Sequence, residues 1–129
     1  MKTKIKIHTR SSGWVRAEID TDKNPATANK IINSLPISGS TQLWGDEIYF
    51  SIPVKMDEEN AQVEVAVGDL AYWPPGTSLC IFFGKTPASR GEQPAAASAV
   101  NVFGNVLDDP TVFQAVKNGE KITIELDQD

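Results

Sequence analysis

The sequence predicts a mainly β fold, a closed antiparallel barrel of about eight strands with one or two short helices capping its ends. Three observations lead there. Short segments with period-two alternation of polar and apolar residues recur along the chain, separated by Gly, Pro, Asn and Asp. Only two stretches have helical spacing. Strands and helices do not alternate in the rhythm that builds a parallel sheet. With 129 residues, the chain has the size of one domain able to enclose a core without disulfides or metal, and residues 1–129 are read as a single unit with no linker or internal repeat.

Alternation marks half-buried strands at residues 2–8, 14–19, 47–53, 62–67 and 121–126. Denser apolar runs at 69–73 and 79–83 flank Pro74-Pro75-Gly76-Thr77-Ser78, a turn signal that makes them an antiparallel pair. A further strand is expected over 99–107, with Gly104 marking a bulge or a close approach of two backbones. One helix begins at Pro25, where the fixed φ suits the first helical position; Asn24 is its expected cap, Ala28, Ile31, Ile32 and Leu35 its apolar face, and Pro36 its end. A second, shorter helix is expected over 110–116, capped by Asp109 and ended by Asn118-Gly119. Residues 85–98 lack both period and large apolar side chains, and read as a surface loop.

Composition narrows the functional classes. Hydrophobic residues are 40% and charged residues 22% of the chain, proportions of an ordinary globular protein. Twelve basic against seventeen acidic residues give a net charge of -5, which opposes sequence-independent binding to nucleic acid or to an anionic membrane. Neither partner is expected. Cys80 is the one cysteine, so no internal disulfide or Cys-based zinc site is available. With no secretory signal pattern at the start and no apolar run near the ~20 residues of a membrane span, a cytoplasmic location is the expectation. The cluster Asp57-Glu58-Glu59 reads as a solvated turn.

In this order of elements the sequence resembles the small prokaryotic cyclophilin-like domains, most of which lack an assigned function. The resemblance covers most of the chain. It is carried by Asn24-Pro25-Ala26-Thr27-Ala28, by Trp44-Gly45-Asp46-Glu47-Ile48-Tyr49-Phe50 through Ile52-Pro53-Val54, and by Gly68-Asp69-Leu70-Ala71-Tyr72-Trp73-Pro74-Pro75-Gly76. Leu79-Cys80-Ile81-Phe82-Phe83-Gly84 and Val100-Asn101-Val102-Phe103-Gly104 add to it. A more distant similarity links these domains to true cyclophilins, the peptidyl-prolyl isomerases built on an eight-stranded barrel.

That similarity implies a fold, not an activity. The isomerase uses an arginine that hydrogen-bonds the prolyl amide and eases rotation over a barrier of ~18–20 kcal/mol. Aligning the Ile-Pro pair of the cyclophilin Phe-His-Arg-x-Ile-Pro strand with Ile52-Pro53 puts Phe50 where the arginine belongs. The histidine and tryptophan of the cyclophilin proline pocket are not matched near Val100. No catalytic residue is assigned on this ground, and an atypical isomerase would need Arg10, Arg16 or Arg90 as a substitute.

The resemblance leaves an aromatic groove as the expected binding surface for a peptide or a small apolar molecule. Most strand aromatics should fill the barrel, but alternation sends Tyr72 and Trp73, and likewise Phe82 and Phe83, to opposite faces. Trp73 and Phe83 are assigned to the outer face, and Trp73, Pro74, Phe83, Phe50 and Trp44 form the candidate groove. His8, the sole histidine, reads as a surface strand residue; Asp46, Glu47 and Asp69 read as turn and strand-start residues; Cys80 reads as a small buried hydrophobe. No metal ligand set, phosphate-binding glycine loop or nucleophile elbow is present, and no cofactor is assigned. The sequence assigns no oligomeric state.

Overall fold

The computed structural model describes residues 1–128. In chain order the strands are β1 (Lys2–Thr9), β2 (Gly13–Asp20), β3 (Ile37–Ser40), β4 (Gln42–Leu43), β5 (Glu47–Ser51), β6 (Gln62–Glu64), β7 (Asp69–Trp73), β8 (Ser78–Phe82), β9 (Ala95–Val106) and β10 (Lys121–Leu126). Helix α1 spans Pro25–Ser34, and 3₁₀ turns occupy Pro74–Gly76 and Pro110–Ala115.

All the strand pairings are antiparallel, as the turn signals predict. The expectation of a closed, eight-stranded barrel is corrected in two respects. The sheet has ten strands, and its hydrogen-bonded order β3-β10-β1-β2-β9-β7-β8-β5-β4 is open, with β3 and β4 at the two edges and β6 paired to β9 off this path. The two unforeseen strands, β3 and β4, adjoin in sequence through Thr41. That threonine is buried and fastened to the turn before β10: its N–H donates to the Glu120 carbonyl (2.9 Å), its hydroxyl to the Lys117 carbonyl (2.8 Å), and its carbonyl accepts from the Gly119 N–H (2.8 Å).

The main core lies on one face of this curved sheet. It takes every second residue of the strands, including Ile5 and Ile7, Val15 and Ile19, Ile48 and Phe50, Leu70 and Tyr72, Leu79 and Ile81, Ile122 and Ile124. Each such side chain is worth roughly 1.5–3 kcal/mol on full burial. Two glycines permit close approaches inside this wall. A Cβ on Gly39 would stand 2.6 Å from Cδ2 of Phe50, and one on Gly104 would stand 2.2 Å from the Glu18 carbonyl oxygen of β2. The expectation for Gly104 is thus met. Beside it the β7–β9 register slips between Leu70↔Gly104 and Ala71↔Val102, leaving Phe103 as the extra residue of a bulge.

Helix α1 forms as its spacing predicts, with Ala28 and Ile31 buried, but its cap differs. Asn24 makes no side-chain cap; its amide donates to the Val102 carbonyl and accepts from Asn60 (3.0 Å). The first turn is held by Glu59 from the loop after β5. Its carboxylate accepts from Ala26 N–H (3.1 Å), Thr27 N–H (2.9 Å) and the Thr27 hydroxyl (2.7 Å). One member of the acidic cluster expected to be a solvated turn is therefore a tether. The predicted second helix is a 3₁₀ turn, with Asp109 accepting from Thr111 N–H (3.0 Å) as expected and Phe113 in the core. No helix among the described residues is long and apolar enough to cross a membrane.

Candidate ligand-binding hollow

The alternation that sends Ile48, Phe50, Leu70, Tyr72, Leu79 and Ile81 into the main core sends Glu47, Tyr49, Ala71, Trp73, Cys80 and Phe82 to the opposite face. Ala71, Cys80 and Phe82 form a second apolar cluster there with Val65, Ala96, Val100 and Val102, and Tyr49 and Trp73 pack against it. This part of the sheet is covered on both faces, because β9 begins at Ala95 rather than near residue 99. The run Ala95-Ala96-Ala97, expected to be loop, has no bulk to hold it away from the sheet.

A hollow of about 130 Å³ opens above this cluster, lined by Trp44, Glu47, Tyr49, Trp73, Ala96, Ala97 and Val100. The volume is close to the ~150 Å³ cavity that accommodates one benzene ring. The Tyr49 and Trp73 rings stand nearly edge to face, with centroids 6.3 Å apart and planes at 75°. The indole N–H of Trp73 donates to the Ser98 hydroxyl (2.7 Å), which fixes the ring against the start of β9. Trp44 sits on a corner pinned from two sides: its N–H donates to the Glu47 carbonyl, Asp46 N–H to the Lys85 carbonyl, and Phe83 N–H to the Asp46 carbonyl, each at 2.9 Å. The corner needs Gly45, whose φ is +60 and where a Cβ would meet Pro87 Cδ at 2.8 Å.

Glu47 is the charged residue of the lining. Its side chain is on the same face as Cys80, and only 6% of the residue is exposed. Burial pushes its carboxyl up to about 7, opposed by a hydrogen bond with the Cys80 thiol. Burial, together with the neighbouring Glu47 carboxyl, pushes the Cys80 thiol well above the ordinary range. This thiol is therefore no ready nucleophile. Among the described residues, no three His, Cys, Asp or Glu side chains gather as a metal-binding group would require.

The hollow contains Trp44 and Trp73 of the sequence-derived groove but not its other members. Phe50 and Phe83 lie in the main core, 0% and 4% exposed. Phe83 continues the inward series Leu79-Ile81; the outward member of the pair is Phe82, which the second cluster buries. Pro74 borders a neighbouring depression with Lys30, Tyr72 and Thr77. Glu47 and Tyr49 were missed, although they flank the inward-facing Ile48 and alternation alone puts them on one face with each other.

The position aligned with the isomerase arginine faces the core, and none of the three arginines lines the hollow. Arg16 pairs with Asp108 (2.8 Å) on the surface. Arg10 lies at the other end of β1, in a depression shared with His8 and Lys117. His8 packs its ring against Trp14, with centroids 4.8 Å apart. Asp69 accepts from Ala66 N–H (2.8 Å), the turn role expected of it.

No curated protein matches this sequence. Among solved structures, it is similar to a hypothetical protein of Archaeoglobus fulgidus known from a solution structure. The identity is 36% over 98% of this chain and 95% of that one, with a TM-score of 0.80. The family profile described as Cyclophilin-like matches residues 2–125. With the motifs, the folded sheet and this match in agreement over nearly the whole length, the chain belongs to the cyclophilin-like family.

Proposed function

We propose that this protein is a binding domain that takes one compact apolar group, from a small molecule or a peptide side chain, into the hollow between Trp44, Tyr49 and Trp73. The observation that carries this reading is a ring-sized space of about 130 Å³ on the outer face of the sheet, walled by aromatic side chains instead of being filled by them. Soluble proteins place their ligand sites in such concave, mainly apolar surfaces with a few polar groups. The lining offers no guanidinium to polarise a prolyl amide, so binding without isomerisation is the reading favoured.

Titration with ring-sized neutral probes such as indole and N-acetylproline methylamide, followed by tryptophan fluorescence and amide chemical shifts, tests it. Saturable shifts centred on Trp44, Tyr49 and Trp73 are expected. Trp73→Ala should abolish them while retaining a cooperative thermal transition. Absence of saturable shifts at millimolar probe concentrations would overturn the reading.

A further inference from the structure

The walls of the hollow specify charge as well as size. We infer that the compact group it receives is a methylated ammonium, held against the faces of Trp44, Tyr49 and Trp73 with the Glu47 carboxylate as its counter-charge. This rests on the reading that the hollow is a binding site, and it names the ligand class.

Three features of the site support a cation. Aromatic rings present a negative face, and a cation within about 6 Å of one is attracted, most strongly where water is excluded. Tyr49 and Trp73 meet at 75°, which makes a corner. A corner suits a rounded group such as trimethylammonium, which can touch both rings at once. Trp73 is held in place by Ser98, so its ring need not be ordered when a ligand arrives.

Glu47 supplies the second argument. It is the carboxylate of the lining, and no lysine, arginine or histidine lines the hollow with it. The salt bridges formed by the described residues leave it without a cationic partner, and the protein group that partly offsets its burial is the uncharged Cys80 thiol. A buried acid without a cation of its own is disfavoured in its ionised form, and a ligand that brings the charge removes that penalty.

The chemistry of the remaining wall selects methylated over primary ammonium. A primary ammonium carries three N–H donors. The lining offers it Glu47, while Ala96, Ala97 and Val100 offer methyl groups. N-methyl groups fit those surfaces and leave no donor unsatisfied.

Choline and its uncharged isostere 3,3-dimethylbutan-1-ol share a shape and differ in charge, so their affinities for the intact protein, measured by calorimetry near pH 8, separate charge from size. Choline is expected to bind at least about tenfold more tightly. Glu47→Gln should remove most of that advantage, bringing the two affinities toward each other, with a thermal melt confirming that the variant is folded. If it does not fold, the wild-type pair decides alone. Equal affinities, a preference for the alcohol, or no binding of choline where neutral rings do bind would each refute the cation while leaving the apolar hollow standing. Silence of every probe would overturn both.

Discussion

Replacing Glu47 by Gln should make the protein more stable at neutral and alkaline pH and leave its stability almost unchanged near pH 4. In the folded protein the carboxyl titrates at about 7, against an ordinary value of 4.5. Between these values the unfolded chain has released the proton that the folded chain retains. Stability associated with Glu47 is therefore fully present below 4.5, falls as pH rises through the window, and is level above about 7. At 1.36 kcal/mol per unit the ceiling is ~3 kcal/mol, and relaxation around the charge makes about 1–3 kcal/mol the expected range. Glutamine has the same length and no proton to lose, so the variant lacks this decline. Urea denaturation of both proteins across this range gives the stability difference as a function of pH. Asp69, raised by burial, and Glu59, Asp108 and Glu120, lowered by their hydrogen bonds, also shape each curve but cancel in the difference. A difference that stays flat with pH, or a variant less stable than wild type near pH 8, would refute the reasoning.

Glu59→Ala removes three hydrogen bonds from the first turn of α1, and a loss of about 1–2 kcal/mol is expected in chemical denaturation. That loss should shrink as pH falls. Partial burial works against ionisation of Glu59, but its hydrogen bonds with Thr27 and Ala26 outweigh this, so its stabilisation is present above the ordinary value and disappears below the lowered one. Gly104→Ala sets a Cβ 2.2 Å from a backbone oxygen that has no flexible end to yield; β2 and β9 must part, and the expected cost exceeds about 3 kcal/mol, read as a fall in melting temperature or loss of soluble protein. Cys80 should resist iodoacetamide in the folded protein near pH 8 and react once urea is added, since both its burial and Glu47 oppose the thiolate. In an assay of Xaa-Pro peptides, the protein should not accelerate isomerisation; acceleration would require an arginine to enter the hollow from a surface loop.

The fold was legible wherever local chemistry decides the outcome. Alternation located the long strands because one face of each is apolar, and Pro25 together with the spacing from Ala28 to Leu35 located α1. β3 and β4 were not, because residues 37–43 are short, mostly small and polar, and become strands only through pairing with β10 and β5. The cap of α1 escaped for a related reason: Asn24 has the right chemistry locally, but Val102 and Asn60 engage its amide, and a carboxylate from residue 59 takes the place.

The hollow was half legible. Trp73 was assigned outward by parity, and the same parity read from Leu79 selects Phe82, not Phe83, as its companion. Glu47 looked like a turn acid because the features that bury it come from elsewhere in the chain: the Trp44 corner and the Ala-rich start of β9. Alanines carry no periodic signal, yet their small size is what allows that strand to lie so close.

Both rims of the sheet are the same piece of chain. Peeling β4 away from β5 pulls on β3 through Thr41, and Thr41 is clamped to the bend at residues 117–120. The curved wall therefore behaves like a cuff fastened by one clasp, and the aromatic hollow begins right beside it, with Trp44 just past β4 and Glu47 and Tyr49 on the adjoining β5.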